Sequence, residues 1–183
     1  MKKYAIVVIL AAMLVGFNQI SKAQGFKEGG IDLNLGLGFT SSNGFIPVFF
    51  GGNYMIKDFL SVGAEMQFRI DNANQGWYGN EYNYHRNGFA FITRGDYHFN
   101  KLLKLPEAFD VYAGIDLGVA FYGDYKSKDT PYPWDDSDNF YFLGGPHAGG
   151  HWMFADKFGL NAEFGGRSGD GAYMKVGFTF LVK

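Results

Sequence analysis

Over most of its length the chain places an apolar residue at every second position, and few folds tolerate that pattern repeated many times. In the segment 30–39, Ile31, Leu33, Leu35, Leu37 and Phe39 share one face, and Asp32, Asn34, Gly36 and Gly38 share the other. A helix would bring residues three and four apart together, whereas a strand sends successive side chains to opposite sides. The same period returns in 60–71, where Leu60, Val62, Ala64, Met66, Phe68 and Ile70 oppose Ser61, Gly63, Glu65, Gln67, Arg69 and Asp71. It returns again in 109–122, where Phe109, Val111, Ala113, Ile115, Leu117, Val119 and Phe121 oppose Asp110, Tyr112, Gly114, Asp116, Gly118, Ala120 and Tyr122.

Five further segments read the same way: about 46–56, 88–99, 140–154, 158–167 and 173–182. Within 140–154, Pro146 predicts a bulge or local break, because proline removes a ladder donor. The count is eight strands, with no helical pattern between them. The connections alternate too. Links at 57–59, 100–108 and 155–157 are short or compact, while 72–87 and 123–139 are long and polar, with shorter loops at 40–45 and 168–171. All the long loops therefore fall at one end, the arrangement of an up-and-down barrel that crosses a membrane.

Alternation alone does not say which face meets the outside, since a soluble barrel and a membrane barrel share the pattern. The minor face decides the reading. It is rich in glycine and carries Asp32, Glu65, Asp96, Asp110, Asp116 and Glu163 beside Arg69, Arg94, Arg167 and Lys175. Charges of both signs in a narrow interior can pair, and glycine leaves them room. A face turned to water would instead carry scattered Lys, Glu, Thr and Ser. The aromatic residues, 19% of the chain, gather toward strand ends as interfacial girdles do. The expected fold is therefore an all-β, eight-stranded antiparallel up-and-down transmembrane β-barrel with short periplasmic turns and longer extracellular loops. Its alternatives are a small cation-favouring channel, a soluble lipocalin-like ligand binder and a lipid-modifying barrel enzyme.

Composition and the N-terminus agree with export. Residues 1–23 join Lys2 and Lys3 to an apolar stretch from Tyr4 to Phe17 and end in Ser21-Lys22-Ala23, the pattern of a cleaved signal peptide. As a helix those 14 residues would reach only about 21 Å across a core of roughly 30 Å. Residues 24–183 then form a single barrel domain. Sixteen basic and 18 acidic residues give a formal charge of −2, too balanced for a nucleic-acid partner. The absence of cysteine excludes disulfides, thiolate zinc and a lipid-anchored N-terminal cysteine.

The pattern resembles the small outer-membrane β-barrel family of Gram-negative bacteria, which includes OmpX-like and OmpA-barrel-like proteins. LSVGAEMQFR, DVYAGIDLG and FGLNAEFG carry the likeness at three strands, and the SKAQ ending resembles that of Bacteroidetes exports. Lys175, Gly177, Phe180 and Val182 resemble the C-terminal signal read by the barrel-assembly machinery, without its usual terminal Phe. The resemblance implies residence in the outer membrane among its lipids and lipopolysaccharide, and it specifies architecture far more than activity.

Candidate chemistry is sparse. An eight-stranded barrel is just wide enough to be filled by side chains, so the ten interior charges are expected to form a packed polar core. His147 and His151 share a face but stand about 13 Å apart along a regular strand, too far to bind one metal jointly. His98 falls near the periplasmic end and His85 in a loop. Asp135, Asp136 and Asp138 lack the glycine turn and distal Glu of a calcium loop, so a solvated acidic loop is the expectation. Ser127, Ser137 and Ser168 have no local spacing that links them to His85 and an acid, so neither an enzyme nor a cofactor is expected. Trp77, Tyr78, Tyr82, Tyr84, Tyr125 and Trp134 lie among amides in the long loops, where they suit an extracellular protein or glycan ligand, or simply package the loops.

Overall fold

The computed structural model describes residues 26–41, 46–77, 80–123 and 140–182, with side chains described except at 70–77 and 80–86. Eight strands close on themselves: β1 (Ile31–Thr40), β2 (Val48–Lys57), β3 (Leu60–Trp77), β4 (Asn80–His98), β5 (Phe109–Tyr122), β6 (Phe140–Ala155), β7 (Phe158–Arg167) and β8 (Gly171–Leu181). Each pairs antiparallel with the next in sequence. Antiparallel pairing of β1 with β8, from Asp32 opposite Leu181 to Thr40 opposite Tyr173, closes the cylinder and removes both sheet edges.

The period-two pattern sorts the two sides of the wall. Ile115, Leu117, Phe142 and Phe164 are 62–74% exposed on the outside, while Asp32, Arg69 and Asp116 inside are at most 1% exposed. The apolar face is thus the outer face, the reverse of a soluble calyx.

Three details depart from expectation. The segment 72–87 is not a loop over most of its length: the β3–β4 ladder continues to Trp77 opposite Asn80. Past Ile70 the sequence turns to Asp, Asn, Gln and Gly, so the apolar alternation stops while backbone pairing goes on. A one-turn helix, α1 (Asn100–Leu103), interrupts the all-strand reading between β4 and β5. And Pro146 neither bulges nor ends β6. It sits opposite Ile115 of β5, while the ladder to β7 starts one residue later, at His147 opposite Gly165. The Pro146 carbonyl lies against Gly165, so its missing N–H falls on the β7 side and shortens only that ladder. The register shift in β6 lies instead between Met153 and Ala155.

The predicted signal segment, Tyr78 and most of the 123–139 loop, with Tyr125, Ser127, Trp134, Asp135, Asp136, Ser137 and Asp138, lie outside the described residues.

Candidate functional site

Inward-facing side chains stack in three levels. At the end bearing the compact turns, Phe26, Met55, Met153 and Leu181 form an apolar floor. The Phe26 ring stacks on His151 with centroids 4.8 Å apart, and His98 lies 6.4 Å from it.

Directly above this floor, side chains of four consecutive strands join hands. His98 on β4 places Nε2 2.9 Å from Ser61 Oγ on β3 and Nδ1 2.8 Å from Asp110 Oδ1 on β5. The other Asp110 oxygen lies 2.8 Å from His151 Nδ1 on β6. An ionised carboxylate only accepts, so both imidazoles carry a proton on Nδ1. Across the lumen, Asn34 and Asn53 donate to Asp32 Oδ1 at 2.5 and 2.9 Å, and Asn161 donates to Asn34 Oδ1 and Thr179 Oγ1.

The middle level holds most of the charge. Arg94 Nη2 donates to Glu163 Oε2 at 2.6 Å and lies 3.4 Å from Asp116, while its other nitrogens stand 3.7 Å from Glu65 and 3.6 Å from Asp96. Lys175 bridges Glu65 at 2.6 Å and Glu163 at 2.8 Å. Arg167 binds one oxygen of Asp116 through two nitrogens, with its guanidinium carbon 4.0 Å over the Tyr173 ring. The Tyr112 hydroxyl donates to Glu163 at 2.8 Å, and the Tyr173 hydroxyl lies 2.9 Å from Glu163 and 3.0 Å from Asp116.

At the upper level Arg69 grips Asp170 bidentately, at 2.5 and 2.7 Å, and also donates to Tyr122 and Gln67. Ala90, Ile92, Ala120, Tyr122 and Leu143 pack beside it.

All ten charges expected in the interior lie inside the barrel, but the structure brings only Glu65, Arg94, Asp96, Asp116, Glu163, Arg167 and Lys175 together; Arg69 pairs with Asp170, Asp110 with two histidines, and Asp32 with two amides. Sequence reasoning missed several of their partners. Asp170 follows β7 in a turn, where strand parity has no force. His98, His147 and His151 had the right parity, but parity does not tell which strands meet across a lumen. With Asp170, seven buried carboxylates face four permanent cations among the described residues, and the three buried imidazoles lie within hydrogen-bond reach of Asp96, Asp110 and Asp116.

Two arrangements suggest chemistry. Asp116, His147 and Glu163 bring potential ligand atoms within 4.8 Å of one another, from three strands rather than from the single-strand pair considered above. Their carboxylates already hold Arg94, Arg167, Lys175 and two tyrosine hydroxyls, so a divalent ion would have to displace fixed cations. Ser61, His98 and Asp110 have the linkage of nucleophile, base and orienting acid. Yet Ser61 is fully buried and Phe26 covers the imidazoles, so no acyl group reaches Oγ in this conformation. The arrangement works here as a strap between four strands.

The remaining candidates are placed as follows. Ser168 bonds to β6 backbone at Phe142 and Gly144, with no histidine among those partners. Trp77, Tyr82 and Tyr84 lie on the extended β3–β4 hairpin, as does His85. Within the assembly-signal motif, Lys175 points inward, Gly177 faces Gly36 at the closing seam, and Phe180 and Val182 are half-exposed on the outer wall.

Fold and site together define a closed eight-stranded barrel with an apolar exterior and a charge-paired, filled interior. No protein-family model matches the chain, and no curated protein matches it. In fold it is similar to the outer membrane protein OprG from Pseudomonas aeruginosa, with TM-score 0.61 and 12% identity over 86% of this chain and 98% of that one. It is similar also to the N-terminal β-barrel domain of OprF from the same organism, with TM-score 0.56 and 12% identity over 84% and 98%. A de novo designed transmembrane β-barrel matches at TM-score 0.52 and 13% identity over 85% and 98%. A designed barrel among the matches indicates that the shared content is architecture.

Proposed function

We propose that the protein is an integral outer-membrane β-barrel with a structural or surface-interaction role, exported by residues 1–23 and closed to solutes by its own side chains. The observation that carries this reading is the inverted wall: Ile115 and Leu117, in mid-strand, are more than 60% exposed, while Asp116 between them is fully buried. Such a surface is stable in hydrocarbon and a liability in water. The long β3–β4 hairpin, bearing Trp77, Tyr82 and Tyr84, supplies a surface for an extracellular protein or glycan. The inserted chain meets outer-membrane phospholipid and lipopolysaccharide, and Lys175, Gly177, Phe180 and Val182 address it to the assembly machinery. The test is fractionation of native cells followed by gel mobility with and without heating. Recovery in the outer-membrane fraction as a heat-modifiable band is expected, and recovery as a soluble periplasmic protein overturns the reading.

The Ser61–His98–Asp110 linkage favours one second reading, hydrolysis of an acyl ester once the Phe26 floor moves aside. Purified, folded protein is expected to leave p-nitrophenyl butyrate intact. Turnover abolished by Ser61→Ala would establish the enzyme instead.

A further inference from the structure

The connection 100–107 is longer than the links between β2 and β3 and between β6 and β7 at the same end, and it carries a one-turn helix beyond the strands. Helix α1 buries none of its residues, and Leu102 and Leu103 are 69% and 55% exposed. We infer that this connection is a seat for anionic phospholipid: Leu102 and Leu103 enter the acyl boundary of the adjacent leaflet, and Lys101 and Lys104 hold the lipid phosphate. The inference rests on the membrane-barrel reading above.

Three observations select a bilayer as the occupant. The first is continuity with the outer wall. Tyr97 packs 5.7 Å from Phe59 and 5.0 Å from Phe99, immediately before α1, and Phe109, immediately after the connection, stacks at 6.5 Å on Trp152. Phe59, Tyr97 and Phe109 are all more than 40% exposed, so an aromatic girdle frames the two leucines.

The second is charge. Lysines flanking buried-length apolar side chains place their stems along hydrocarbon and their ammonium groups at the headgroups. Lys101 Nζ sits 2.5 Å from Asp58, and Lys27 stands 3.9 Å from Glu107. Lys104 has no ion pair among the described residues. These groups and Asn100 rim a hollow of about 410 Å³, large enough for a phosphodiester headgroup. Three ammonium groups against two carboxylates leave it net positive, which selects an anionic headgroup over a neutral one.

The third is backbone conformation. Lys104 ends α1 with φ 52°, and its amide donates to the Asn100 carbonyl. Glycine is the usual occupant of that position because it adopts the left-handed region without strain. What lysine adds over glycine there is an ammonium group at the rim of the hollow.

The test uses the absence of native cysteine. Leu102→Cys in the full chain takes a single environment-sensitive fluorophore, and the protein is inserted into vesicles of phosphatidylcholine, alone or with an equal part of phosphatidylglycerol. Quenching by lipids spin-labelled near the carbonyl end of the acyl chain is expected, with about fivefold preference for spin-labelled phosphatidylglycerol over phosphatidylcholine. Lys101→Ala with Lys104→Ala should bring that preference to parity. Lys104→Gly, which relieves the backbone strain, should lower the preference while leaving the barrel at least as resistant to urea. A fluorophore in water beside a heat-modifiable barrel overturns the inference alone, as does a preference unmoved by removing both lysines. Failure to insert at all overturns the barrel reading and this inference with it.

Discussion

Arg94 on β4 and Glu163 on β7, strands that are not neighbours in the wall, meet across the lumen at 2.6 Å. Arg94 is the hub of the middle level, since Glu65, Asp96 and Asp116 all lie within 3.7 Å of its guanidinium. Replacing it with Met leaves several carboxylates buried without that cation, which should cost about 3–5 kcal/mol. Urea titration of folded protein in detergent, followed by tryptophan fluorescence, measures the loss. Adding Glu163→Gln should restore part of it, because the second substitution removes one of the stranded charges. If the interior were an open channel lining, Arg94→Met would instead raise cation conductance in planar bilayers with no loss of urea resistance.

Phe26 closes the opposite end of that polar column. Its ring covers His151, and its floor partners Met55 and Met153 are almost completely buried. Phe26→Ala should destabilise by about 3 kcal/mol and open the imidazoles to solvent. The expected readout is faster carbethoxylation of His151 and His98 than in the parent, located by peptide mass mapping. Unchanged labelling would mean that the floor is held by other residues.

Gly36 and Gly177 face each other where β1 meets β8, and each backbone fills the space in which the other's Cβ would lie. A Cβ on Gly177 would stand 3.0 Å from the Gly36 Cα, and one on Gly36 would press 2.8 Å from the Phe49 ring. Gly177→Val should therefore weaken the closing seam by about 1–3 kcal/mol. Refolding purified chain into detergent, with no assembly machinery present, separates this steric effect from loss of the assembly signal. A lower yield of the heat-modifiable form in that assay is the expected result, and a normal yield would assign Gly177 to recognition only.

These residues also show what could be read in advance. The strands and their inward and outward faces follow from parity, because lipid on one side and a narrow polar lumen on the other both act on every residue. Asp110 and His98 could be placed inside that way, whereas their shared bond to each other, to Ser61 and to His151 could not. Which levels align around a barrel depends on register, and register is a property of pairs of strands. Where lipid no longer constrains the wall, parity loses its meaning. The β3–β4 extension, Asn72 to Trp77 and Asn80 to Asn87, therefore reads as loop although its backbone is paired, and Asp170, in a turn, goes unnoticed as the partner of Arg69. Pro146 misleads for a different reason: its effect depends on which neighbour its nitrogen faces, and here that side faces β7 alone.

Ile115 provides the sharpest test of which solvent the outer wall is built for. It lies midway along β5 and is 62% exposed, whereas Phe109 starts the same strand at 43%. In a bilayer an arginine at mid-depth costs about 2–4 kcal/mol, falling to about 0–1 kcal/mol near the interface. Ile115→Arg should therefore lower stability in phospholipid vesicles by the larger amount and Phe109→Arg by the smaller. The comparison is made by guanidinium titration of the vesicle-inserted protein, and both variants keep the interior network untouched. For a wall that faces water, exchanging an exposed isoleucine for arginine is near neutral to stability and improves solubility. A depth-dependent penalty thus identifies hydrocarbon as the outer solvent, and two equal, negligible effects identify water.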